Sequence, residues 1–376
     1  MFRLIPRIQH YDWGSYDALP RLTGRAPGDR PEAELWLGAH ESAPSGVPAD
    51  DGDTGSDTDL AVLYEANPEA LVGADAVRLF SGRFPFLLKV LAPTKSLSIQ
   101  CHPSREQALD APPGTYGDNW PKPEAFVAIT PFEAFAGMRD YDEIVTLLTG
   151  LDVPELSAIV EWSSGQDEPA VALLEALLAL DLQVRNTLVR SVLGAIADRD
   201  DDPAFAAVRR VAQDFPGDIG LVVLLAMEYL SASPGDYVFV PAGCLHAYQQ
   251  GVAVEIMANS DNVIRAGLTP KAINVPELLR IVRPCSEPTR RSEPTGRVRD
   301  YGTDTEYFHL YAVGPGSDSV AIPGDGPRIV LSLQGSSTVR SGDVSFDLGS
   351  GDAAFITPGE EVSVEGDGTL FVATTG

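Results

Sequence analysis

Pro234-Gly235-Asp236-Tyr237-Val238-Phe239-Val240-Pro241 and, far downstream, Gly349-Ser350-Gly351-Asp352-Ala353-Ala354-Phe355-Ile356-Thr357-Pro358 are two versions of one phrase. Each runs from Gly-Asp through a short β-prone stretch and stops at Pro. The likeness reads as a weak internal duplication of a β module. Around the second phrase, Tyr307–Val313, Arg328–Leu333, Ser336–Ser341, Val344–Leu348 and Thr369–Thr375 are short runs separated by Gly and Asp. That spacing predicts a sandwich or jelly roll. Around the first phrase lie strand-like pieces such as Phe86–Leu91, Ser96–Ile99 and Val252–Ile256.

Between them the texture changes. Ala170–Leu182, Val184–Ala197 and Phe205–Phe215 place apolar residues at three- and four-residue spacing, the helical period. Asp202-Pro203 reads as an N-cap followed by Pro at the first helical position. The expected organisation is therefore mainly β with an α insertion. Residues 1–139 and 231–280 form a first β module, 140–230 a helical insertion, and 281–376 a C-terminal β module. Residues 50–59, with five Asp among Gly, Ser and Thr, read as a solvated loop.

The chain has 376 residues, with 27 Lys+Arg against 54 Asp+Glu and a formal charge of −27. This length supports two or three domains, and 44% hydrophobic with 22% charged residues is a globular balance. The charge argues against nucleic acid or an anionic membrane as partner, since both need a cationic face. An anionic ligand would need a local basic pocket. Three Cys (Cys101, Cys244, Cys285) make no disulfide framework and fit a reducing cytoplasm. The opening residues show no signal-peptide core, and Val171–Leu182 and Ile219–Met227 are too short or interrupted to span a bilayer.

Of the five His, His102 is in Ser98-Ile99-Gln100-Cys101-His102-Pro103 and His246 in Pro241-Ala242-Gly243-Cys244-Leu245-His246. In a strand, Gln100 and His102 share a face and Cys101 points the other way. With Glu124, two imidazoles, a carboxylate and an amide oxygen suit Zn²⁺ with an open position. Spacing alone leaves open that both His are ordinary buried histidines. His10, His40 and His309, with no paired ligand at a useful offset, take that ordinary reading. Cys101 and Cys244 read as small buried hydrophobes.

The segments Gln9–Ser15, Ala33–His40, Pro85–Pro103, Tyr116–Glu124 with Phe135–Arg139, and Pro241–Leu268 resemble, in order, those of type I mannose-6-phosphate isomerases (phosphomannose isomerases). The C-terminal module matches only in β texture. The resemblance implies two cupin-type β jelly-roll modules plus a helical domain, and zinc-dependent interconversion of mannose 6-phosphate and fructose 6-phosphate. It assigns one zinc per chain to Gln100, His102, Glu124 and His246. It assigns catalysis to Arg265 and Lys122, and the sugar-phosphate pocket to Lys89, Ser98 and Lys271. Trp13, Glu34 and Trp36 are expected to shape that pocket. One departure stands out: Tyr116-Gly117-Asp118-Asn119-Trp120-Pro121-Lys122-Pro123-Glu124 carries Trp120-Pro121 where the family has Asn-His, which puts the pocket wall there in question.

Isomerisation moves a proton between C2 and C1 through a cis-enediolate, whose charge needs a fixed positive group. Arg265 stays protonated and serves as an electrostatic stabiliser. Lys122, Asp261 and Glu255 are the candidates for the proton carrier. Two other readings stand beside this one: another cupin metalloenzyme, such as an Fe²⁺ dioxygenase, or a non-catalytic sugar-phosphate-binding protein. The first predicts no phosphate-binding lysines, and the second a lost metal ligand. The expected partner is a small sugar phosphate, with no nucleic acid, no membrane and a monomeric chain.

Overall fold

The computed structural model describes residues 1–49, 58–284 and 287–376. Most of the predicted acidic loop, and Cys285, lie outside the described residues. Four of the sheets, of seven, five, six and four strands, build two β modules.

The strand Phe86–Leu91 shows how the first module forms. All six of its residues are buried, because the sheet is covered on both faces. Phe86, Leu88 and Val90 point to one side, into a core shared with Leu310, Leu331, Phe355 and Phe371 of the C-terminal module. Leu87, Lys89 and Leu91 point to the other side, into the first module. Register carries that division across the seven-stranded sheet: Trp36 pairs with Lys89, Lys89 with Glu255, and Glu255 with Phe126. Directly opposed residues share a face, so the polar row Trp36, Lys89, Glu255 looks inward while the apolar row behind it joins the two modules.

The five-stranded sheet faces it and holds Ile99–Cys101, His246–Gln250 and Ile264–Gly267. Its outer face, with Ile99, Cys101, Leu245 and Ala266, packs against Ile144, Leu173, Val208 and Leu224 of the helices. The insertion thus backs this sheet. Its helices are Tyr141–Thr149, Pro154–Ser164, Pro169–Ala179, Leu182–Ala195, Pro203–Asp214 and Gly220–Leu225. Asp202 caps as expected, its Oδ1 accepting from Ala204 N at 2.8 Å, with Pro203 following it. Leu180 and Asp181 break the apolar run because the Asp181 carboxylate caps a new helix, accepting from Gln183 N and Val184 N.

The repeated phrase is structural at its turn. Gly235 and Gly351 sit at φ 90° and 89°, a conformation that favours glycine. Each precedes a strand, Tyr237–Val240 and Ala353–Ile356.

Three short strands pair across the domain boundaries read from the sequence. Phe2–Leu4 pairs with Ala353–Phe355 and so belongs to the C-terminal module. Met227–Ala232 pairs with Phe132–Met138 as a strand of the first module rather than ending the insertion. Thr289–Arg291 pairs with Tyr237–Phe239 of the first module. Each is a short strand supplied from outside its own module to cover a sheet edge, and local sequence carries no signal for such long-range pairing. Val275–Ile281 is a helix. Among the described residues no helix is long and apolar enough to cross a membrane.

Candidate active site and metal centre

The polar faces of the two sheets meet in a cleft of about 720 Å³. The candidate metal-ligand set comes from both walls. Gln100 pairs with His246 on one side and Arg265 on the other, so three neighbouring strands present amide, imidazole and guanidinium in a row. His102 follows two residues after Gln100 on the same face. Glu124 opens the strand Glu124–Ala128 of the opposite sheet.

His102, Glu124 and His246 are buried, and their ligand atoms lie within 4.8 Å of one another. His102 Nδ1 is 2.7 Å from the Asn262 carbonyl and His246 Nδ1 is 3.1 Å from that of Cys244. A carbonyl only accepts, so both Nδ1 atoms carry the proton and both Nε2 atoms present lone pairs. Those Nε2 atoms each stand 3.3 Å from a Glu124 oxygen. At His102 the contact lacks hydrogen-bond geometry, and Nε2 is a buried acceptor without a partner. Three ligand atoms aimed at one point, one of them orphaned, fit a bound divalent cation.

Charge supports this. Burial and the nearby Lys122 ammonium push the His102 imidazole down to about 4, so it is neutral and able to ligate at neutral pH. Burial acts to raise Glu124, but the Lys122 ammonium holds its carboxyl well below the usual range. Lys122 Nζ is 2.6 Å from Glu124 Oε1, and Tyr248 Oη donates to Oε2 at 3.3 Å.

On the seven-stranded wall, Lys89 Nζ lies 3.1 Å from Glu255 Oε2, an ion pair by distance although not aligned as a hydrogen bond. Burial raises the Glu255 carboxyl to about 7; Lys89 opposes this, while Glu124 and Glu34 add to it. Lys89 is held up by Glu255, Glu34 and Glu124 against the opposing effect of burial. Its ammonium also sits 5.1 Å from the Trp36 ring centre, and Trp36 Nε1 donates to Glu34 Oε2 at 2.5 Å.

The structure brings the sequence-predicted residues together. Trp13, Glu34, Trp36, Lys89, Ser98, Gln100, Lys122, Asp261, Arg265 and Lys271 line the cleft, and Glu124, His246 and Glu255 line its inner end. Lys95 is a further cation there. The cleft gathers five Lys and Arg side chains, against four carboxylates along its walls and two more, Glu124 and Glu255, at its inner end, a local concentration of cations in a chain of net charge −27. The insertion contributes Asp214 and Phe215 to its wall.

Trp120-Pro121 is not part of that wall. Trp120 is buried, stacked under the Arg105 guanidinium at 3.8 Å and edge-on to Tyr307 of the C-terminal module at 5.8 Å. Sequence reasoning missed three residues. Asn262 orients His102 through its carbonyl, Tyr248 donates to Glu124, and His40 Nε2 lies 3.2 Å from Asp261 Oδ1. Each lies within a segment quoted above, but none has a ligand-type spacing that marks it.

Fold and site define a cupin-type metalloprotein with two jelly-roll modules and a lysine-rich polar cleft. Residues 1–141 match the family described as phosphomannose isomerase type I, catalytic domain. The chain is 33% identical to mannose-6-phosphate isomerase of Escherichia coli (strain K12), with 98% of each chain covered. It is 31% identical to the Homo sapiens enzyme of that name, over 97% of this chain and 95% of that one. A crystal structure of a mutant phosphomannose isomerase from Salmonella typhimurium superposes with TM-score 0.90 at 30% identity, covering 100% of this chain and 99% of that one. A mannose 6-phosphate isomerase structure bound with zinc and yttrium superposes at 0.88 and 30% identity, with the same coverage. The chain belongs to the type I mannose-6-phosphate isomerase family.

Proposed function

We propose that the protein is a zinc-dependent aldose–ketose isomerase interconverting D-mannose 6-phosphate and D-fructose 6-phosphate through a cis-enediolate. One observation carries the reading: a buried His102–Glu124–His246 cluster opens onto a cleft lined by Lys89, Lys95, Lys122, Arg265 and Lys271. Gln100, His102, Glu124 and His246 would hold one zinc, which supplies a fixed positive charge beside the substrate oxygens. Lys89, Ser98 and Lys271 would bind the phosphate, and Trp13 and Glu34 would frame the sugar. Arg265 stabilises the developing enediolate charge. Lys122, Glu255 and Asp261 are the groups able to carry the C2–C1 proton. Glu255, raised by burial, is suited to hold or release a proton near neutrality.

The lysine-rich cleft speaks against a cupin dioxygenase, and the complete ligand set against a non-catalytic relative. Cys101 and Cys244, buried and free, accord with a cytoplasmic location. The monomeric state is also part of this proposal. A coupled assay with mannose 6-phosphate tests the reading, before and after chelation, with zinc add-back and glucose 6-phosphate as control. Zinc-restored turnover of mannose 6-phosphate is expected. Turnover indifferent to chelation and zinc, or none at all, would reject it.

A further inference from the structure

We propose that His40 is a positioning residue for the Asp261 carboxylate, through which Asp261 exchanges a proton with a substrate hydroxyl. This rests on the isomerase reading above. Asp261 lines the substrate cleft; His40 does not, and stands behind it in the wall of a second cavity of about 390 Å³ that Asp261 also lines. The imidazole is buried, although the Asp261 side chain keeps 71% of its exposure. The buried ring meets two residues that line the cleft, Trp36 and Asp261, and of these only the Asp261 carboxylate can exchange a proton.

Its orientation is set from both ends. The Ser42 backbone N–H points at His40 Nδ1 at 3.3 Å, with Ser42 Oγ at 2.9 Å. An N–H only donates, so Nδ1 is the acceptor and the neutral ring carries its proton on Nε2. Nε2 then turns its proton toward Asp261, with Oδ1 3.2 Å away in ion-pair contact, leaving Oδ2 for the cleft. The ring plane is braced edge-on against Trp36 at 4.9 Å, and Trp36 is itself tied to Glu34. An exposed carboxylate would otherwise sample several rotamers. A rigid donor behind one oxygen selects one of them and aims the other oxygen at the substrate. The His40 contact also holds the Asp261 carboxyl below its usual range, as do the Lys122 and Lys89 ammoniums, while burial opposes them. The proton that Asp261 takes from a hydroxyl returns to substrate oxygen within one turnover, so the step needs no other reactant.

The test compares His40→Gln, whose amide nitrogen reaches about as far as Nε2, with His40→Asn, whose nitrogen stops near Nδ1. Each is made alone and in Asp261→Asn, and all proteins are checked for zinc content. His40→Asn should lower kcat by about 100-fold, the scale of one general acid–base contact, with KM within about threefold. His40→Gln should recover to within about tenfold of wild type, a donor being restored. In the Asp261→Asn background neither His40 change should move kcat by more than about twofold, because residues acting as a unit are not additive. Equal effects of Gln and Asn, or losses that add to that of Asp261→Asn, would assign His40 a packing role and overturn the proposal. Wild-type turnover with unaffected His40 variants defeats this inference alone. A wild type that does not isomerise mannose 6-phosphate defeats it together with the reading beneath it.

Discussion

Glu124→Gln separates the two tasks this carboxylate performs. The substitution keeps shape and one oxygen but deletes the only formal negative charge among Gln100, His102, Glu124 and His246. In the metal-free protein it also leaves the Lys122 ammonium, previously 2.6 Å from Oε1, without its counterion. Removing one partner of a buried ion pair costs about 3–5 kcal/mol. Lys122 borders the cleft and keeps 11% side-chain exposure, so it can turn partly toward water and the cost should fall at about 3 kcal/mol. Replacing both partners is close to neutral in such pairs, so Lys122→Met with Glu124→Gln should recover most of that loss. The assay is urea denaturation of wild type, single and double variants in chelator, with m-values compared to exclude a changed unfolded state. Zinc retention after dialysis is measured in parallel. Changing even a supporting partner of a ligand weakens metal affinity by about 10–100-fold, so loss of the anionic ligand should exceed about 100-fold. A single variant as stable as wild type in chelator, or a double variant no better than the single, would refute the ion-pair account. Undiminished zinc affinity would refute the ligand assignment.

Trp120→Ala should destabilise the protein by about 3–5 kcal/mol, read as a lower denaturation midpoint, since it removes a buried indole between Arg105 and Tyr307. Below its unfolding transition KM should stay within about twofold of wild type, because Trp120 lies outside the cleft; a KM change of tenfold or more would place the indole in the pocket wall after all. Glu277 is held below the usual carboxylate range by Arg280 and the Tyr116 hydroxyl, against the opposing effect of burial. A depressed folded-state pKa contributes stability that is present above the unfolded value of about 4.3 and lost as pH falls through the folded one. Glu277→Gln should therefore flatten the acid side of the stability–pH curve, and an unchanged slope in denaturation between about pH 2 and 5 counts against the triad. Lys271→Met should raise KM for the phosphosugar about tenfold or more while leaving zinc content intact, consistent with the loss of one charge-assisted phosphate contact. An unaltered KM would return Lys271 to the solvated surface.

Much of the site was legible because its chemistry is carried by residue types with local geometry. Gln100 and His102 share a strand face by alternation alone, and Cys101 lies on the opposite face, packed against the insertion as a small hydrophobe. His40 shows where that legibility ended. Nothing at a useful offset in the chain marks it, since its partner Asp261 lies far along the sequence on another segment. Trp120 was misplaced for a related reason: its neighbours Lys122 and Glu124 face the cleft, and only packing shows that the indole turns to Arg105 and Tyr307.

Composition, periodicity and turn residues determined the β texture at both ends of the chain and the helical insertion between them, since hydrophobic period and Gly-Pro punctuation act within a few residues. Only the tertiary structure decided that Phe2–Leu4 joins the far module, that the insertion backs the five-stranded sheet, and that five cations share one cleft in a chain of net charge −27. Strand pairing and side-chain convergence are long-range events. They are set by which faces can be buried together, and that is a property of the assembled core rather than of any stretch of chain.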